Sequence, residues 1–198
     1  MHAVIFDIDG TLLHSNELDN QTYIAAIREV LGPVKLRESW THYTNISGSG
    51  TLLEILADNG IHETEPALRA VEDAFVARIA SHIDSNGPIP ALPGAQQFVT
   101  RLAQSSEHRI AYATAGWFGA ARLKLLASEF PLDAVPLASC NHHIAKAGIM
   151  RHALSQLATG FESVTYYGDG AWDKAAAASL GWAFVAVGEK LNGLRRFE

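Results

Sequence analysis

Asp7 and Asp9 stand two residues apart where the apolar run Val4-Ile5-Phe6 gives out, and Gly10-Thr11 follow them. Side chains on an extended strand alternate between faces, so carboxylates at i and i+2 point the same way. Two such charges repel unless a cation or a proton comes between them, which makes the pair a metal or acid/base site in outline. A strand running into a solvated Asp-Gly turn would need neither. What separates the two readings is whether other strand ends carry matching groups.

The elements that must position the pair follow from periodicity. After Leu13, with Ser15 or Asn16 as cap, Tyr23, Ile24, Ile27, Val30 and Leu31 recur at helical spacing until Gly32-Pro33. A shorter piece around Leu36, Trp40 and Tyr43 follows. Asn45 to Gly50 reads as a flexible turn-rich loop, and a helix through Leu52, Leu53, Ile55 and Leu56 closes at Asn59-Gly60. Thr64 can cap a helix with Pro66 in its first turn and Leu68, Val71, Phe75 and Ile79 on one face. The breaker-rich stretch from Asp84 to Gly94 marks a stiff connector. Beyond it helix and strand alternate: a helix with Phe98 and Leu102, a strand over 109–114, a helix over 118–128, a short extended stretch over 134–138, a helix over 147–158, a strand over 164–169, a helix over 171–180 and a strand over 182–187.

Strict alternation predicts an α/β fold, a doubly wound Rossmann-like parallel sheet with helices on both faces. A helical cap is expected after the first strand, with residues 1–15 and 91–198 as the α/β core and 16–90 as the cap. In such sheets ligands bind outside the carboxyl ends of the strands. Thr114 ends one strand, followed by Ala115-Gly116, whose small side chains leave backbone amides open to an anion. Asp169 ends another, and Asp173 lies at the start of the next helix. Acids converging there are unfavourable without a cation, by about 1 to 4 kcal/mol for each pair at contact distance. Oxygen-only ligands suit a hard ion, Mg2+ above others. A bound phosphate would also need a cationic side chain. Lys146, which opens its helix beside the Asp169 strand, is the candidate; Lys124 is expected to face solvent in mid-helix and Lys174 to point away, while His142 and His143 are expected in a surface turn.

The totals agree with a single globular unit carrying an insert. In 198 residues, 48% are apolar and 18% charged, enough to bury a core. A formal charge of -6 argues against nucleic-acid or polybasic membrane binding through bulk electrostatics. A lone Cys140 excludes an internal disulfide framework and suits a reducing compartment. With acids already at positions 7 and 9, the start leaves no room for a signal peptide, so a cytoplasmic location is expected.

These residues are recognisable as a set. Asp7-Ile8-Asp9-Gly10-Thr11 resembles the first signature of the haloacid dehalogenase superfamily, Thr114 its second, Lys146 its third, and Gly168-Asp169-Gly170-Ala171-Trp172-Asp173 its fourth, in the family's order. The helical insert falls between the first and second, as in members with a C1 cap. Ala147 stands where members often carry proline after the lysine, and His14-Ser15 where relatives often have an aspartate before serine. The resemblance implies phosphoryl transfer through an aspartyl-phosphate: Asp7 as nucleophile, Asp9 as general acid and then base, and Mg2+ held by Asp7, the Asp9 carbonyl and Asp169 with Asp173 in support. Thr114, the amides near Ala115 and Lys146 would hold the phosphate. An aspartate at position 9 disfavours the dehalogenase and phosphonate-cleaving branches. A Mg2+-dependent phosphatase acting on a small phosphorylated metabolite is expected, resembling phosphoglycolate phosphatase; a phosphosugar mutase resembling β-phosphoglucomutase is the alternative. A mutase must hold a second phosphate, and no lysine or arginine lies between Arg37 and Arg69, although Arg28, Lys35, Arg37 or His42 could fill the gap. Substrate choice is expected in the cap, at a mobile loop carrying Gly48, Ser49 and Gly50.

Overall fold

The computed structural model describes residues 1–157 and 159–198. Its strands are β1 (His2–Phe6), β2 (His108–Ala113), β3 (Leu137–Ala138), β4 (Ser163–Gly168) and β5 (Ala183–Ala186). Its helices are α1 (Asn16–Leu31), α2 (Gly48–Asp58), α3 (Thr64–Asn86), α4 (Ala95–Ala103), α5 (Phe118–Ala127), α6 (Lys146–Ser155) and α7 (Ala171–Leu180), with one 3-10 turn at Trp40–His42. The five strands pair in parallel in the order β3-β2-β1-β4-β5, so β1 is central and the crossovers run outward to either side of it. The helix expected to run to Ala158 ends at Ser155, and Ala158 itself lies outside the described residues. Between β1 and α4 the chain supplies α1, α2 and α3 and no named strand.

Strand alternation sorts the core into two layers. Ile5, Ala111, Ala113 and Tyr166 pack on one face with Ile149 and Met150 of α6 and Ala177 of α7. Val4, Phe6, Ile110 and Tyr112 pack on the other with Val99 of α4 and Leu125 of α5. The first layer does not stop at the sheet: Ile27 of α1, Leu52 and Ile55 of α2, and Phe75 of α3 join the same buried cluster. The helical segment therefore seats on the sheet domain through continuous apolar contact, at about 25 cal/mol for each Å² removed from water. No helix among the described residues is long and apolar enough to cross a membrane.

Candidate active site

The carboxyl ends of β1, β2 and β4 meet where the sequence places its acids. Asp7 extends the β1 ladder by donating its N–H to Tyr167 O at 2.9 Å. Gly10 turns the chain at φ +80, and a β-carbon there would collide with Asn16 Nδ2 and the Asp169 carboxylate. Glycine is thus required for both backbone angle and close approach. Asp169 follows β4, and Asp173, in the first turn of α7, accepts from the Gly170 N–H at 3.0 Å, half of a capping box. Its other oxygen faces the site.

Asp7, Asp169 and Asp173 are buried, and each brings a carboxylate oxygen to within 4.8 Å of the others. Lys146 Nζ donates to Asp7 Oδ1 at 2.8 Å and stands 3.1 Å from Asp173 Oδ1. The second approach is off the hydrogen-bonding direction, so Asp173 Oδ1 has a counter-charge but no donor. Burial pushes the Asp7 carboxyl well up; Lys146 opposes this, while Asp173, Asp169 and Asp9 add to it. Burial would lower the Lys146 ammonium, but Asp173 and Asp7 outweigh it and the net direction is upward. Three convergent buried carboxylates with an unsatisfied oxygen form an all-oxygen donor set that fits a hard divalent cation.

Asp9 is held differently. Its Oδ1 accepts from Ser15 Oγ at 2.6 Å and from Lys124 Nζ, and its Oδ2 accepts from Thr114 Oγ1 at 3.2 Å. Thr114 Oγ1 in turn accepts from the Gly116 N–H at 2.9 Å. Lys124 also donates to Asp19 Oδ2 at 2.7 Å. Lys124 is 1% exposed, so the expectation that it faces solvent is wrong. It lies on the face of α5 that also buries Ala120 and Ala121, four and three residues earlier, and two carboxylates meet its charge. Burial alone would raise Asp9, but Lys124 together with hydrogen bonds involving Asp19, Lys124 and Ser15 brings it down to about 2. Burial and the neighbouring Asp9 push Asp19 up to about 8 against the pull of Lys124. The Asp19 Oδ1 atom is buried without a partner.

Other contacts carried little sequence signal. Ser15 and Asn16, read as helix caps, turn their side chains to the site instead: Ser15 to Asp9, and Asn16 Nδ2 to Asp169 Oδ2 at 3.0 Å. Lys190, in the turn after β5, donates to the same Asp169 oxygen at 2.8 Å. Asn16, Asp19, Asn20 and Tyr23 all line the cleft, and their i, i+3, i+4, i+7 spacing was the available clue that α1 presents a polar face inward. Lys174 is exposed, while His142 stacks on His152 at 4.4 Å.

Gly48, Ser49 and Gly50 do not form a loop. They are the first turn of α2, capped by Ser47 Oγ accepting from the Gly50 N–H at 3.1 Å. The Gly48 N–H donates to Ala115 O at 2.9 Å, and Ser49 Oγ accepts from Trp117 Nε1 at 3.0 Å. A β-carbon at position 48 would press on the Trp117 ring. The cleft beside these groups holds about 200 Å³ and is lined by Asp7, Asp9, Thr114, Ala115 and Asp169 together with the aromatic side chains of Tyr23, Trp40, Phe75, Trp117 and Trp172. Arg28, Lys35, Arg37 and His42 do not line it. Arg37 is tied to Glu54 at 2.5 Å and Asp58 at 2.8 Å.

Comparison with known proteins places the fold. No match was found among proteins of curated function. Among solved structures, CbbY from Rhodobacter sphaeroides in complex with phosphate is 22% identical, covers 98% of this chain and 87% of its own, and superposes with a TM-score of 0.73. A hydrolase from Pseudomonas syringae is 20% identical over 94% of this chain and 84% of its own, at 0.73. The β-phosphoglucomutase of Clostridium difficile is 18% identical over 96% and 86%, also at 0.73. At these identities the likeness is one of fold. The model of the haloacid dehalogenase-like hydrolases matches residues 1–181, and the chain belongs to that family of enzymes.

Proposed function

We propose that the protein is a Mg2+-dependent hydrolase of phosphate monoesters of small metabolites, working through a phosphorylated Asp7. The observation that carries this reading is the division of labour at the sheet edge: Asp7 sits among Asp169, Asp173 and Lys146, whereas Asp9 is held apart by Ser15, Thr114 and Lys124. Asp7, Asp169 and Asp173 would hold the divalent cation, which when bound supplies charge neutralisation between carboxylate and phosphate.

An Asp7 carboxylate oxygen attacks phosphorus, and the bond from phosphorus to the ester oxygen breaks. Asp9 delivers a proton to the departing oxygen. With the alcohol gone, Asp9 takes a proton from a water that attacks the aspartyl-phosphate, releasing phosphate and restoring Asp7; such acid/base help is worth about 10^2 to 10^4 in rate. Lys146, Thr114 and the backbone beside Ala115 balance and orient the phosphate oxygens. Asp19 lies against Asp9 across Lys124 and binds a proton more tightly than Asp9 does, so the proton that Asp9 passes to the departing oxygen is drawn from Asp19, and the proton taken from water returns there.

The mutase alternative needs a second phosphate site. Among the described residues lining the cleft the only lysine or arginine is Lys124, and Asp9 and Asp19 already bind it, which favours a hydrolase. Residues 16–90 act in this reading as the cap that covers the leaving group, with Gly48, Ser49 and Gly50 as part of its wall. A panel of phosphorylated metabolites, assayed with Mg2+ and with or without added sugar bisphosphate, tests the reading. Chelator-sensitive phosphate release without bisphosphate is expected. An absolute requirement for bisphosphate would overturn it in favour of a mutase.

A further inference from the structure

We infer that the cleft accepts monophosphates whose leaving alcohol is uncharged and carries a flat ring. The inference rests on the phosphatase reading and adds the substrate class.

Tyr23 is the hub of the aromatic part of the cleft wall. Its ring centroid lies 5.7 Å from that of Trp40, 5.5 Å from Trp117 and 6.4 Å from Phe75, and Phe75 is 5.1 Å from Trp117. All four rings line the cleft. Their polar edges are already used: Tyr23 OH donates to Gly48 O at 2.8 Å, Trp40 Nε1 to Asn20 Oδ1 at 2.7 Å, and Trp117 Nε1 to Ser49 Oγ at 3.0 Å. Phe75 and Trp117 are buried, so what this wall offers a ligand is the ring carbon of the half-buried Tyr23 and Trp40. Another ring meets such surface well, offset or edge to face.

Charge narrows the class further. A carboxylate or second phosphate on the alcohol would be desolvated against the rings without a free lysine or arginine among the described lining residues, since two carboxylates take the Lys124 ammonium. An ammonium fares no better, because Lys124 already answers Asp19 at 2.7 Å. A polyhydroxylated sugar would set most of its hydroxyls against ring faces, and of the polar side chains in the lining Asn16, Ser47 and Thr51 already hold protein partners. The volume of about 200 Å³ suits a single ring on a short stem.

Benzyl and ethyl phosphate have leaving alcohols of similar basicity, so the ratio of their kcat/KM values reads the pocket rather than the chemistry. With Mg2+, benzyl phosphate is expected to exceed ethyl phosphate, 2-phosphoglycolate and glucose 1,6-bisphosphate by about tenfold or more. In Trp40→Leu the benzyl-to-ethyl ratio should fall toward unity. On the wild-type protein alone, benzylphosphonate should inhibit about tenfold more tightly than ethylphosphonate, which keeps the test independent of how the variant folds. Equal use of benzyl and ethyl esters, a preference for either charged ester, equal inhibition by the two phosphonates, or an unchanged ratio in folded Trp40→Leu would each overturn the ring assignment. Para-nitrophenyl phosphate serves as control: if it and every other ester stay intact, the phosphatase reading falls and this one with it. Turnover without ring preference removes the substrate class alone.

Discussion

Lys124 of α5 donates to Asp19 of α1 at 2.7 Å, and the same ammonium bonds Asp9 at the end of β1. One buried cation thus joins the helical insert to the acid beside Asp7. Removing one partner of a buried ion pair leaves the other charges uncompensated, typically at about 3 to 5 kcal/mol. Lys124→Met should lower the unfolding free energy by an amount of that order, read as a lower urea midpoint at unchanged slope. It should also cut phosphatase turnover by about 10^2 or more, since Asp9 loses its restraint and its charge balance. Adding Asp19→Asn to Lys124→Met should cost less than the sum of the single changes, because the pair shares one interaction. Strict additivity would show that the contact carries no coupling.

The Asp19 carboxyl implies a pH dependence of stability. An acid whose folded-state pKa stands above its unfolded value binds more protons in the folded state across the interval, so stability falls as pH rises through it. For Asp19, pushed up to about 8 by burial and by Asp9, the interval runs from the ordinary carboxylate range to about pH 8. Wild-type Tm in chelator should therefore decline between pH 6 and about 9 more steeply than that of Asp19→Asn, which keeps the shape but has nothing to titrate. Parallel curves for the two proteins would contradict the assignment.

Lys190 donates to Asp169 Oδ2 at 2.8 Å although its side chain is 57% exposed. An ammonium there competes with a divalent ion for the same buried oxygen, but Lys190 is itself mostly solvated, so its hold is worth only about 1 kcal/mol. Lys190→Met should therefore tighten Mg2+ or Mn2+ binding by no more than about fivefold, read by calorimetric titration of the ion alone. Weaker binding in the variant would mean that Lys190 supports the ion site.

What could be read in advance, and what could not, divides along a physical line. Asp7, Asp9, Thr114, Asp169 and Lys146 stand where strands end or helices begin, so local pattern alone brings them to one edge of a parallel sheet. Lys124 sits in mid-helix, where a lysine is ordinarily solvated. Its burial follows from partners 105 and 115 positions away in sequence, although Ala120, Ala121 and Leu125 already marked that face as buried. Gly48 to Gly50 have the composition of a loop, but Ser47 as cap and the Gly48 bond to Ala115 outweigh the low helix propensity of glycine. Ser15 fits a cap by type; its hydroxyl serves Asp9, because a charged acceptor makes the stronger hydrogen bond.

Asp7→Asn separates catalysis from stability. Asp7 lies among Asp169, Asp173 and Asp9, and burial and these neighbours already favour its neutral form against the pull of Lys146. An amide of the same shape removes one negative charge from that crowd, while Lys146 keeps Asp173 as a counter-ion at 3.1 Å. In chelator the variant should melt no lower than wild type, and a modest rise is expected. Turnover should fall by at least about a thousandfold, because an amide oxygen cannot replace the carboxylate as nucleophile. Incubation of wild type with a phosphoryl donor and Mg2+, followed by acid quench, should trap phosphate on Asp7 and leave Asp7→Asn unlabelled. Retained turnover in the variant would move the nucleophile to another acid of the cluster.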